Sequence, residues 1–355
     1  MSTPNLGIIE GYFGQPWTWD GRRAVVETLA PYGYRFFHYA PKGDPFLRQR
    51  WVEPHPLQEA GQISQFVAFC QGFGVRVGIG LSPYEAFNDF NGNVRNTFIN
   101  RVEDLASLGI QDLGIFFDDM HSTLPDLAER QIEIMHLARD TAPQLKLSMT
   151  PTYYSTDPVL DRVFGQRPEH YLHELGAGLN QSIDIYWTGE EVCAREISIG
   201  HMREIGALLK RKPLLWDNYP VNDGPRMSQF LHLRGFTGRS HRLADWVSGH
   251  AINPALQPYL TCVPAISLAM SYQQGDDYCY GASGYAAAVK VLGPALASMV
   301  RADLMSFQDL GLTKLAKRRN SLLDRYQPIN HPAAREILAW LQEEYAATTE
   351  MVQTQ

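Results

Sequence analysis

Short apolar runs alternate along this chain with stretches whose apolar positions recur every three or four residues. The runs are Leu6–Glu10, Tyr34–Tyr39, Val75–Leu81, Ile115–Phe117, Leu145–Met149, Ile183–Trp187, Pro213–Trp216 and Gly249–Ile252. Runs this short, closed by glycine, proline or acidic residues, predict strands. Between them, Val25, Val26 and Leu29, then Leu57, Ala60, Ile63, Val67 and Cys70, then Phe98, Val102 and Leu105 keep helical spacing. The same holds for Leu127, Ile134 and Leu137, for Val192, Met202, Ile205 and Leu209, and for Cys262, Ala265, Ile266 and Ala269. Thr18 or Asp20 is placed to cap the first helix, and Pro31, Gly33, Gly74 and Gly109 mark ends. An irregular segment with Pro158, Gly165 and Pro168 precedes the sixth strand, and Leu243, Trp246 and Val247 precede the eighth.

Strands separated by helices pair in parallel, and eight such units predict an α/β fold, a (β/α)8 TIM barrel. A doubly wound open sheet is the alternative. The barrel is favoured because polar, glycine-rich motifs follow almost every strand, whereas an open sheet gathers them at one crevice. After Gly275-Asp276-Asp277 the strand signal stops, and residues 285–306, 308–326 and 332–347 read as helices. The expected organisation is a catalytic barrel over 1–274 and a small helical C-terminal region over 275–355. That region would pack on the barrel or on a second subunit, which allows a homodimer, and residues 348–355 are expected to fray.

Composition narrows the class. With 45% hydrophobic and 19% charged residues in 355, most of the chain can fold around a large core. A net charge of −7 without a basic face argues against a nucleic-acid partner. Cys70, Cys193, Cys262 and Cys279 lie far apart, which suggests reduced core thiols in a cytoplasmic protein rather than a disulfide frame or zinc site. Neither a signal peptide nor an apolar run long enough to span a membrane is apparent.

The fourth run ends in two adjacent carboxylates, Asp118 and Asp119. Aspartate there can simply cap a helix or make a turn. In a barrel, however, the residues after each strand converge on one mouth. Strand one is followed by Gly11-Tyr12-Phe13-Gly14, strand two by Ala40-Pro41-Lys42-Gly43-Asp44 and strand five by Pro151-Thr152-Tyr153-Tyr154. Strand six ends in Trp187-Thr188-Gly189, strand seven in Trp216-Asp217-Asn218 with Asn222-Asp223 beyond, and strand eight in Asn253-Pro254. Carboxylates, amides, a lysine and aromatic faces at one mouth suit a sugar.

The blocks Glu10-Gly11-Tyr12-Phe13-Gly14-Gln15-Pro16-Trp17, Tyr39-Ala40-Pro41-Lys42, Phe117-Asp118-Asp119, Trp187-Thr188-Gly189, Trp216-Asp217-Asn218 with Asn222-Asp223, and Asn253-Pro254 occur in that order. Together they resemble glycoside hydrolase family 84, the O-GlcNAcases and related β-N-acetylglucosaminidases, over residues 6 to about 272. The resemblance implies a retaining, substrate-assisted reaction on a β-GlcNAc-bearing glycoprotein or glycan, with no metal or organic cofactor. It implies that Asp118 orients the acetamido N–H and that Asp119 is general acid and then base. It further implies that Tyr154 bonds in the acetamido pocket, that Gly11, Lys42, Asn218, Asp223 and Asn253 contact the sugar, and that Trp216 forms the aromatic wall. Independently, adjacent Cα atoms lie only about 3.8 Å apart, so the pair is badly placed to flank one bond from opposite faces. Asp44, Asp157 and Asp161 read as structural or solvated and His170 and His173 as surface histidines. Trp187 and Trp216 are each as well suited to filling the barrel as to the site. Lys42 has a surface reading that Pro41 and its place after a buried strand oppose, and Asn253 before Pro254 also suits a plain turn.

This chain departs from the family pattern at Gly43, Glu190 and Gly224, which bears on the shape of the mouth. Two other readings stay open here. One is a metal-dependent barrel lyase or aldolase with Asp118 and Asp119 on Mg²⁺, although no phosphate grip or strand-six lysine accompanies them. The other is a silent sugar-binding barrel.

Overall fold

The computed structural model describes residues 3–346. Its centre is a closed, all-parallel barrel of β1 (Leu6–Glu10), β2 (Tyr34–Tyr39), β3 (Arg76–Leu81), β4 (Asp112–Phe116), β5 (Lys146–Thr150), β6 (Asp184–Trp187), β7 (Leu214–Asp217) and β8 (Gly249–Ile252). Each strand pairs with the next in sequence, and β1 closes on β8 with Leu6 opposite His250 and Ile8 opposite Ile252. The strand–helix alternation read from the sequence is therefore a (β/α)8 barrel.

The helices that cover it are α1 (Trp19–Leu29), α2 (Leu57–Gln71), α3 (Gly92–Ser107), α4 (Leu127–Thr141), α5 (Pro158–Phe164), α6 (Tyr171–Gly178), α7 (Ile199–Leu208), the single turn α8 (Gly224–Met227) and α9 (Pro258–Gln274). Thr18 caps α1 by accepting from Gly21 N, and Asn91 caps α3 well before the first apolar residue of its periodic face. The helix expected from Val192 begins only at Ile199, because residues 190–198 form a loop at the barrel mouth.

Alternation along the strands sorts the side chains. Leu6, Ile8, Leu113, Ile115 and Leu215 point outward into the main core beneath the helices. Ile9, Phe36, Phe116, Tyr186, Leu214, Trp216 and Ala251 point inward and fill the barrel. Phe116 fits because Gly80 and Gly114 flank it: a Cβ on either would lie within 2.3 Å of its ring. Trp216 tops this plug, edge-on to Phe116 at 5.5 Å and to Tyr186 at 5.3 Å. The mouth of the barrel therefore rests on a rigid aromatic floor.

Beyond α9 come α10 (Tyr280–Met305), the short α11 (Gly311–Leu315), α12 (Arg319–Tyr326) and α13 (Pro332–Leu341). The expected helix over 308–326 is broken into a π turn and two short pieces, and α10 kinks at Gly293 (φ 73°) before Pro294. The part of the expected helix beyond 346, and the segment 348–355, lie outside the described residues. These helices enclose a second core with Leu260 and Val263 of α9. They also hold the β7–β8 connection: Phe307 O accepts from Leu231 N at 3.1 Å, Gln308 Oε1 from Leu233 N and Arg234 N at 2.9 and 2.8 Å, and Ser228 O from Trp340 Nε1 at 3.1 Å. Tyr280–Lys314 is long and apolar enough to cross a membrane by length and composition, which inspection of apolar runs had not suggested. Its apolar face packs in this second core, and its buried Asp303 pairs with Arg325.

Candidate active site

The barrel ladder continues just past the strand ends, and this sets the loops in register. Lys42 N donates to Tyr12 O at 3.1 Å, Phe117 N to Thr150 O at 2.8 Å, Thr188 N to Tyr154 O at 3.0 Å and Asn253 N to Asp217 O at 2.8 Å. The residues that follow neighbouring strands are thereby held around one opening. It is a cavity of about 190 Å³, and Gly11, Lys42, Asp118, Asp119, Tyr154, Trp216, Asn218, Asp223 and Asn253 all line it. Every residue singled out from the sequence for the site is thus brought together. A larger hollow of about 520 Å³ lies between Trp17, Tyr259 and α13, so size alone would not have found this site.

Lys42 organises the acidic side. Its Nζ pairs with Asp118 Oδ2 and lies 3.2 Å from Asp119 Oδ2, inside a pocket where Asp118 is 5% exposed. Tyr154 OH donates to Asp119 Oδ1 at 3.4 Å. Burial, then the charges of Asp119 and Asp118, push the Tyr154 phenol well above its ordinary value, so it stays a donor. Asp118 Oδ1 is buried and accepts no hydrogen bond. Such an acceptor is expensive in an interior unless something arrives to fill it.

The opposite wall is amide and indole. Asn218 Oδ1 accepts from Trp216 Nε1 and from Asn253 Nδ2, each at 3.0 Å, while Asn218 Nδ2 donates to Val192 O at 2.8 Å. Asn253 Oδ1 in turn accepts from Gly11 N at 3.3 Å. Gly11 is glycine for a steric reason: a Cβ there would sit 2.2 Å from Trp216 Cζ2. Asp223 stands at the N-cap position of α8 but does not cap it, and accepts instead from Phe13 N at 2.8 Å. Burial raises the Asp223 carboxyl above the usual range, with the Asp119 charge adding to the effect. Asn222 turns away from the cavity and ties loops together through Phe230 O, Gln257 Oε1 and Leu256 N.

Outside the site, Asp44 accepts from Tyr39, His55 and Phe46, Asp157 caps α5, and Asp161 pairs with Arg167. Trp187 belongs to the core, donating to His201 Nε2 at 3.0 Å. His170 and His173 are exposed. Glu190 is structural, accepting from Ser198 Oγ at 2.6 Å. The expectation of four core thiols needs correction: Cys70 and Cys262 are buried, but Cys193 and Cys279 are exposed. Cys193 is exposed as a residue but stands at the cavity rim, where crowding of the thiol by the surrounding chain and then the carboxylates of Asp223 and Asp217 push it up to about 11, which leaves it protonated and a poor nucleophile. Sequence reasoning also missed Thr150, which lines the cavity with its hydroxyl unpartnered. Two-residue alternation with Ser148 on β5 was the available signal.

The NAGidase family model, beta-N-acetylglucosaminidase, matches residues 6–309. The chain belongs to this family. Among curated β-N-acetylglucosaminidase relatives, the Protein O-GlcNAcases of Mus musculus and Rattus norvegicus are each 25% identical over 276 residues, covering 75% of this chain and 30% of theirs. The chain therefore spans less than a third of the length of those relatives. Among solved structures, an aspartate-to-asparagine mutant of the Thermobaculum terrenum O-GlcNAc hydrolase superposes with a TM-score of 0.77 at 27% identity, over 95% of this chain and 80% of that one. CpGH84B, at 20% identity and a TM-score of 0.77 over 96% of this chain and 66% of its own, shares the fold.

Proposed function

We propose that the protein is a retaining exo-β-N-acetylglucosaminidase of the O-GlcNAcase type, working by substrate assistance. Asp119 donates its proton to the glycosidic oxygen. Asp118 accepts the acetamido N–H, and the acetamido oxygen attacks C1 as the C1–O bond to the aglycone breaks. An oxazoline results. Asp119 then takes a proton from water, which opens the oxazoline at C1 and leaves the β-configuration intact. Tyr154 steadies the acid and acetamide, Trp216 stacks on the sugar, and Lys42, Asn218, Asp223, Asn253 and the Gly11 backbone bind around it.

One observation carries this reading. The carboxylates are adjacent and joined through one ammonium, while Asp118 Oδ1 remains a buried acceptor without a donor. An amide N–H satisfies that need, and a protein nucleophile facing a separate acid does not fit side-by-side carboxylates. Lys42 also weighs against the Mg²⁺ reading, since its Nζ takes the place between the two carboxylates that a bridging cation would need. The natural substrate is a β-GlcNAc-bearing glycoprotein or glycan, and the barrel carries the chemistry while the described helices after residue 275 buttress it or meet a second copy. Four unpaired thiols fit a cytoplasmic setting.

Hydrolysis of 4-nitrophenyl β-GlcNAc with no hydrolysis of the β-glucoside is the expected outcome, because the glucoside lacks the nucleophile. Asp119→Asn should lose most turnover of alkyl glycosides and less of aryl ones, whose leaving groups need little acid. Asp118→Asn should impair both alike. A covalent glycosyl ester on any carboxylate of this chain would sink the mechanism.

A further inference from the structure

Behind the carboxylate pair lies a cation that no proposed step uses. Arg48 follows the turn Pro45–Leu47 after β2 and is only 2% exposed. Its Nη2 donates to the backbone carbonyl of Asp119 at 3.1 Å, and its guanidinium carbon lies 5.9 Å from the centre of the Tyr84 ring. Nε and Nη1 are buried without hydrogen-bond partners, and no carboxylate among the described residues pairs with the group. Burying an arginine without a counter-ion is costly, and an apolar side chain of similar length would fill the volume without that cost. Packing therefore does not account for it.

Asp119 has an anomaly of its own. Its φ of 57° lies in the left-handed region, which few residues bearing a Cβ adopt, although aspartate tolerates it better than most. The backbone there decides where the Cα–Cβ bond points, and so where the carboxyl is aimed. The unpaired guanidinium and the left-handed aspartate meet in one charge-assisted hydrogen bond. Lys42 and Tyr154 hold the carboxylate end of Asp119, and Arg48 holds its backbone end.

We propose that Arg48 is a positioning residue: by gripping the Asp119 carbonyl it keeps the left-handed turn and aims the carboxyl at the glycosidic oxygen. This rests on Asp119 being the acid and base of a β-N-acetylglucosaminidase. It adds a residue from the β2–α2 connection, where the sequence reading had placed only Lys42.

The test uses the full chain with Arg48→Met, which keeps the stem and loses every donor, and Arg48→Lys, which keeps a charge and a donor. Turnover of methyl and 4-nitrophenyl β-GlcNAc is measured across a pH series. Arg48→Met should lower kcat on the methyl glycoside roughly 10- to 100-fold, lower it much less on the aryl glycoside, and leave KM within about 2-fold, consistent with loss of aim rather than of binding. The pH–rate limb that depends on Asp119 should move, and Arg48→Lys should recover part of the loss. In an Asp119→Asn background, Arg48→Met should add almost nothing on the methyl glycoside, because the group it aims is gone. Equal losses on both glycosides, or a full multiplicative loss in that background, would overturn the role. If Arg48→Met melts below the assay temperature, Arg48→Lys decides: a smaller loss with the same leaving-group split supports the role, and no split overturns it. Wild-type protein inactive on both glycosides would instead bring down the enzymatic reading, and this role with it.

Discussion

Raising the pH from about 6 to about 9 should loosen this protein through a carboxyl that takes no part in catalysis. Glu336 on α13 is buried and accepts from the first free N–H groups of α9, Tyr259 N and Leu260 N, each at 2.9 Å. Burial nevertheless dominates over those two bonds and pushes the carboxyl from its ordinary 4.5 up to about 8. In the unfolded chain the group is ionised above its ordinary value, whereas the folded protein keeps the proton until pH passes about 8. The folded state then binds more protons, so stability falls as pH rises, by about 1.4 kcal/mol per unit. The contribution is fully present below pH 4.5 and is lost by the time pH has risen through 8. Most of the pH 6 to 9 window lies on that slope, which gives a loss of about 2–3 kcal/mol, or roughly 3–4 °C in Tm for a chain of this size. Thermal melts of wild type and Glu336→Gln at several pH values isolate the group, since all other titrations cancel in the difference. The Glu336→Gln variant should start less stable by about 1–3 kcal/mol, because its amide NH₂ faces an N–H it cannot accept from. Its stability should decline less with pH than that of wild type. Parallel curves would refute the reasoning, since they would mean that Glu336 is ionised in the folded protein throughout.

Two further perturbations probe the walls of the site. Burial alone would raise the Asp217 carboxyl, but Arg239 and His250 more than offset it and hold the group near 2, so its stabilising contribution is present above its ordinary 3.8 and lost as pH falls through 2. Asp217→Asn should therefore cost about 3–5 kcal/mol at neutral pH by stranding buried charge, and the measured melt should show the gap to wild type shrinking in acid. Gly11→Ala should drive a Cβ into the Trp216 ring, which it would meet at 2.2 Å, and cost roughly 1–3 kcal/mol of stability from the strain. A crystal structure of that variant with Trp216 unmoved, or unchanged kcat/KM, would contradict the account of the pocket wall.

Periodicity alone determined the architecture. Parallel strands buried on both faces need apolar runs, amphipathic helices need a repeat near 3.6, and both signals are local in the chain. The site was legible for a related reason. A barrel brings the residue after every strand to one mouth, so strand order places the motifs after β1, β2, β4, β5, β7 and β8 together, while the choice of residues within them, from Gly11 to Asn253, came from the family resemblance. Reading failed where a local pattern answers to distant partners. Val192 keeps helical spacing with Met202 yet lies in a loop whose carbonyl binds Asn218, and the helix expected over 308–326 breaks where its backbone ties down the β7–β8 connection. Only the tertiary structure decided that Lys42 bridges Asp118 and Asp119, that Asp119 takes a left-handed turn against Arg48, and that Glu336 caps a helix 76 residues away. Each of these depends on which charges are stripped of water together. Desolvation is a property of the folded neighbourhood, and no spacing along the chain encodes it.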